Sequence, residues 1–218
     1  LKTKALLVIA ISPLLLFYAC RNTKTIPSDS ILGFSEEQKQ LILSGDTLTP
    51  MRIFLITKED DSILLRTRSK SIDADPKDEV LQHFVKRLYR TVRDSMSMGV
   101  GIAAPQVGVL KNIIWIQRFD KPEMPFEVYL NPVIKSYSDK KFPCREGCLS
   151  IPDRRDTTQI RAYEIELEYD LLSGEHQTEN VKGFTSVIFQ HEIDHLNGIL
   201  YIDHLAEESI SPSHDASK

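Results

Sequence analysis

The chain has 218 residues, 41% of them hydrophobic and 27% charged, which is ordinary globular usage and a length suited to one domain with appendages. Twenty-seven basic against thirty-one acidic residues leave a net charge of −4, so a nucleic-acid binder working through a basic field is excluded. The cysteines Cys20, Cys144 and Cys148 are too few and odd in number for a disulfide framework.

Lys2 and Lys4 precede an apolar run from Ala5 to Cys20 that Pro13 interrupts. A spanning helix needs roughly 20 apolar residues, and this run is shorter. A positive start, a short apolar core and the small Ala19 ahead of a cleavage point describe a secretory signal. The next residue, Cys20, resembles the lipidated cysteine of bacterial lipoproteins, with Phe17 where such signals prefer Leu. The expected division is a leader over 1–19, a tether with a short helix over 20–50, a main domain over 51–205 and a polar tail over 206–218. A lipid anchor at Cys20 on a bacterial membrane is expected, with an uncleaved anchor or a cytoplasmic chain as alternatives.

In chain order, Ser35–Ser44 reads as a short helix with Ser35 as N-cap and Gln38 at the third helical position. Gly45–Pro50 is turn-like and Met51–Thr57 is a plausible strand. Asp75-Pro76 marks a helix start, and Leu81, Phe84, Val85, Leu88 and Val92 form the apolar stripe of a helix expected to reach Met98. Its Lys86, Arg87, Arg90 and Arg93 read as a solvated face. Ile113–Ile116 and Phe126–Leu130 are β-rich. In Tyr163–Leu171, Ile165, Leu167, Tyr169 and Leu171 alternate with acids, which predicts a strand with one buried face. Ser173-Gly174 then supports a turn. Strands flanking helices without a βαβ rhythm predict an α+β fold.

Three short segments carry chemistry. The first is an HExxH motif, in which His191 and His195 project from one helical face and can share a metal ion. Glu192 sits beside the first of them, placed to take a proton from water, and Asp194 reads as a supporting bond partner. Gly198 supplies the helix stop. A catalytic metal needs a third protein ligand. Candidates are a distant Glu, His204, His214 or Cys148, although taken alone Cys148 reads more readily as a small buried apolar residue. Tyr201 stands where one protease class places a further histidine. The last segment, Gly99–Gly108, matches a loose dinucleotide pattern, but it follows a helix rather than a strand. Glycines that let a ligand lie against the main chain are the better reading.

Together these segments resemble the three motifs of peptide deformylases, as Gly99–Gln106, Glu146–Ser150 and His191–Gly198, in that order. Asn131-Pro132 and Tyr201–Leu205 are also similar, and the resemblance covers Ile53 to Leu205. It implies antiparallel β-sheets packed around a central metal-binding HExxH helix. It also implies a mononuclear metal hydrolase that removes the formyl group from N-formylmethionyl peptides and releases formate. By that resemblance Cys148, His191 and His195 hold one Fe2+, with Zn2+ or another divalent ion as a substitute. Glu192 carries the proton, and the Gln106 side chain and the Leu149 amide face the developing oxyanion. Val100, Gly101 and Gly147 hold the peptide as an added strand, and its methionine lies near Val100, Val187 and Ile188. A monomer with no nucleic-acid partner is expected. An HExxH zinc peptidase and a catalytically idle, membrane-anchored binding protein are the alternatives. A Cys144–Cys148 disulfide, suggested by proximity and the export signal, would remove a ligand.

Overall fold

The structure is a computed structural model that describes residues 32–94 and 98–210. The expected leader with Cys20, and also His214, lie outside the described residues. Among the described residues, helices α1 (Glu36–Leu43), α2 (Glu59–Leu65) and α3 (Glu79–Val92) precede strands β1 (Gly101–Ala103), β2 (Ile113–Gln117) and β3 (Phe126–Tyr137). Strands β4 (Cys144–Cys148), β5 (Ile151–Thr158), β6 (Glu164–Asp170) and β7 (His176–Lys182) follow, then helices α4 (Gly183–Leu196) and α5 (Tyr201–Ile210). A five-stranded antiparallel sheet has the order β1-β2-β3-β6-β7, and β4-β5 forms a separate antiparallel hairpin. No helix among the described residues is long and apolar enough to cross a membrane.

The two-residue period of the strands explains why the sheet separates two cores. Along β2, Ile113 and Trp115 face a core built from α1, α3 and the turn after β1. Ile114 and Ile116 face the other core, with Phe189 and Ile193 of α4. A strand buried on both faces reads as a continuous apolar run, as Ile113–Ile116 does. At β6 only Ile165, Leu167 and Tyr169 are buried, and their acidic neighbours face outward, as the alternation predicts.

Helix α1 closes with the expected capping box, in which Ser35 Oγ accepts from Gln38 N and Gln38 Oε1 accepts from Ser35 N. The stripe of α3 is buried throughout. Its start lies later than expected, because Asp78 rather than Asp75 caps the free amides, accepting from Val80 N and Leu81 N. It also ends at Val92, short of Met98. Arg87 departs from the solvated reading. It is 4% exposed, and its guanidinium donates to the carbonyls of Leu41, Ile42 and Thr49. Residues 34–50 therefore pack onto α3 instead of hanging free, with Phe34 edge-on to Phe84 and Ile42 fully buried.

Met51–Thr57 is not a strand. Phe54 N donates to Gln106 O and Ile56 N to Ser150 O, so this extended segment bridges two different elements and forms no ladder with either. Helix α5 continues to Ile210, beyond the expected domain end at 205.

Candidate active site

Helix α4 ends at a backbone requirement. Gly198 has φ +74°, and a Cβ there would collide with the Arg66 carbonyl, so the chain stops and turns away as glycine allows. The last two turns of α4 carry His191 and His195 on one side, their rings 5.2 Å apart. Strand β4 ends at Cys148, whose Sγ lies 3.1 Å from His195 Nε2. One donor atom from each of Cys148, His191 and His195 falls within 4.8 Å of the others. A thiolate and two imidazoles converging in this way suit a tetrahedral or five-coordinate divalent metal with an open position. Burial opposes ionisation of the Cys148 thiol, but its electrostatic contacts and hydrogen bonds with His195 and His191 hold the thiol well below its usual range.

His191 is oriented from behind. Its Nδ1 meets Glu146 Oε2 at 2.8 Å, which leaves Nε2 for a metal. Glu146 also accepts from Arg161 Nε at 2.8 Å and Nη2 at 2.9 Å. Arg161 Nη1 donates to Asp194 Oδ2 at 2.6 Å, and Asp194 in turn meets His204 Nε2 at 2.8 Å. Burial works to raise the Glu146 pKa, yet hydrogen bonds from His191 and Arg161 keep it well below the carboxylate range. The supporting role read for Asp194 matches these bonds. His204 is committed to Asp194 and stands outside the three-donor cluster.

Glu192 lies beside the cluster and is 4% exposed. Among the described residues its Oε2 has no hydrogen-bond partner, and burial pushes its pKa up to about 7. Such a carboxyl gains and loses a proton readily at neutral pH. Gln106 is fixed by its Oε1, which accepts from Ala103 N at 2.9 Å. Its amide nitrogen is thereby turned toward Ser150 Oγ at 3.3 Å and Cys148 Sγ at 3.6 Å.

These groups open into a cavity of about 850 Å³ lined by Val100, Gly101, Gln106, Gly147, Leu149, Val187 and Ile188, among others. The residues that the family resemblance assigns to metal, proton transfer, oxyanion and peptide therefore meet in one place. Sequence reasoning missed Arg161, which no motif spacing marks, and the lining residues Phe184, Arg145 and Arg155. Glu146 stood inside a recognised segment without a role. The Cys144–Cys148 disulfide is contradicted. Both thiols are free, and four residues along one strand separate them by about 13 Å, against a limit of about 7 Å for a bridge.

A family model described as polypeptide deformylase matches residues 53–210. The chain belongs to the peptide deformylase family. A peptide deformylase from Caulobacter sp. strain K31 is 35% identical over 156 residues, covering 71% of this chain and 87% of that protein. One from Picosynechococcus sp. is 38% identical over 148 residues, covering 66% and 75%. Among solved structures, the peptide deformylase of Thermotoga maritima has a TM-score of 0.63 at 31% identity, covering 72% of this chain and 97% of that one. A Met-Ala-Ser-bound class I type b peptide deformylase from Acinetobacter baumannii has a TM-score of 0.62 at 33% identity, covering 72% and 98%. As a peptide deformylase the chain is a metal-dependent hydrolase that removes N-formyl groups. The match to the peptide deformylase family begins at residue 53, so α1 and its connection precede it.

Proposed function

We propose that the residues at this site divide the work of deformylation as follows, on the formylmethionyl end of a peptide. The observation that carries the assignment is the convergence of three donor atoms within 4.8 Å beside a buried carboxylate oxygen that has no partner among the described residues. Cys148, His191 and His195 hold one divalent ion, Fe2+ by the family resemblance, and that ion supplies Lewis acidity toward water and the formyl oxygen. Glu192 takes the proton as water attacks the formyl carbon and hands it to the departing amine. The Gln106 amide, pre-aimed by its bond to Ala103 N, donates to the oxyanion together with the Leu149 backbone N–H. One such donor contributes roughly 3–4 kcal/mol. Val100, Gly101 and Gly147 present backbone to the peptide as a neighbouring strand would. The methionine side chain packs against Val100, Val187, Ile188 and Phe184, four of the apolar residues of the lining.

Anaerobically prepared, Fe2+-loaded protein is expected to release formate from formyl-Met-Ala-Ser. A chelator should abolish this release and added Fe2+ restore it. Glu192→Ala should lower kcat by about 10²–10⁴-fold while metal content holds. Metal-loaded protein that releases no formate overturns the assignment.

Residues 1–20 support a second proposal, a lipid anchor at Cys20 that places the enzyme on a bacterial membrane. Full-length protein made in a bacterium should then incorporate labelled fatty acid, and Cys20→Ala should not. Equal labelling of both, or of neither, would remove the anchor.

A further inference from the structure

The mouth of the cavity carries charge that the deformylation steps leave unused. Three of its lining residues are arginines, Arg145, Arg154 and Arg155, all on the β4–β5 hairpin. Arg154 is neutralised, with its Nε 2.7 Å from Asp156 Oδ2. Arg145 and Arg155 have no carboxylate partner among the described residues and are both exposed.

Register places these two on one face. Gly147 pairs with Arg155 and Arg145 with Thr157. Residues directly opposite each other, and residues two apart on a strand, point to the same side. Arg145, Gly147 and Arg155 therefore share a face, and two like charges lie on a diagonal of the hairpin. The absent side chain of Gly147 gives Arg155 its path. A Cβ at that glycine would sit 3.1 Å from Arg155 Cγ, so the arginine stem crosses the strand there. Among the described residues the hairpin has only two strands, so β4 offers its other edge to the cavity, across from Gly99–Gly101. Of the carboxylates lining the cavity, Glu146 is locked to Arg161 and His191, and Glu192 is buried. Asp153 alone is left at the rim against two unmatched guanidinium groups.

We infer that Arg145 and Arg155 are specificity-determining residues that bind a carboxylate on the substrate just after its formylmethionine. Guanidinium forks match carboxylates in a way lysine does not. The carboxylate comes either from an acidic side chain at the second or third position or from the free C-terminus of a very short peptide. This rests on the deformylase assignment, because it presumes that the peptide's first residue lies at Glu192.

The test compares kcat/KM for amidated formyl-Met-Ala-Glu-Ser and formyl-Met-Ala-Gln-Ser, for the same pair with the acid at the second position, and for formyl-Met-Ala-Ser as free acid and amide. These arms separate the two sources of the carboxylate. In at least one pair the acid should be favoured about 3–10-fold, expressed in KM rather than kcat. In Arg145→Gln/Arg155→Gln, and in 1 M NaCl where the screening length is about 3 Å, that ratio should fall toward one. Each ratio is taken within one protein, so a general loss of activity cancels, and Arg145→Gln alone serves if the double variant does not fold. The same Glu/Gln ratio, read as dissociation constants of unformylated, labelled peptides by anisotropy, does not depend on turnover. Absent turnover with an intact binding ratio would thus count against the hydrolytic assignment alone. Ratios of one in every wild-type pair, or a ratio unchanged by the substitutions, overturn the inference.

Discussion

At Gly101 a methyl group would sit 2.5 Å from Glu192 Oε1 and 2.9 Å from its Cδ. The glycine therefore serves the carboxylate that faces it, because any side chain there would displace Glu192. Displacement of a reacting group by about 1 Å costs on the order of 100-fold. Gly101→Ala is expected to lower kcat/KM by at least about that factor in a formate assay while bound metal, measured by elemental analysis, stays at one equivalent. Glu146 acts from the other side. It holds His191 Nδ1 and is itself held by Arg161, so Glu146→Gln should weaken metal binding by about 10–100-fold in a chelator competition. Motif matching found Gly101 as a place for backbone approach. It could not find the Glu192 contact, because that depends on how closely α4 packs on β1.

Among the elements, α2 shows how a short helix positions its neighbours. Asp61, on its first turn, accepts from Arg52 Nη1 at 2.6 Å, Arg52 Nη2 at 2.9 Å and Leu55 N at 2.9 Å. These bonds pin the extended segment that meets Gln106 and Ser150 through Phe54 and Ile56. The Arg52 hydrogen bonds lower the Asp61 pKa to about 2. A depressed folded-state pKa gives stability that is complete above the unfolded value of about 3.9 and is lost as the pH falls through the folded one. The urea midpoint of the wild type should therefore fall between about pH 4 and pH 2, and Asp61→Asn should flatten that part of the acid limb. The same segment shows why an element was misread. Met51–Thr57 has the composition of a strand, but its bonding partners come from two elements far apart in sequence. Where the apolar repeat was itself the signal, as in α3 and β6, composition and structure agree. Boundaries set by a choice between Asp75 and Asp78 do not, since both residues are able to cap.

Across the whole molecule, the order of three motifs was enough to assemble the donor cluster, because metal ligands and the groups next to them are specified by residue type. Of the relay from buried Glu146 and Arg161 to half-buried Asp194 and His204, only Asp194 reads as a bond partner in the sequence, and the chain of contacts was not legible. Its members span 59 positions (146 to 204, inclusive) with no fixed spacing, and an arginine looks the same in a sequence whether it is buried or wet. Arg87 illustrates the same limit at the far side of the sheet. It draws the carbonyls at the end of α1 onto α3, in the core that contains Phe34, Ile42 and Leu88. The α4 residues Ile188, Phe189 and Ile193 belong to the other core. This separation has a mechanical consequence. A pull on the chain ahead of Leu32 enters the molecule through the Asp73 N to Leu32 O bond, Phe34 and the Arg87 clasp. Its load path runs through α1 into α3, in the core on the other side of the sheet from the one that holds Ile188, Phe189 and Ile193 of the helix bearing His191 and His195.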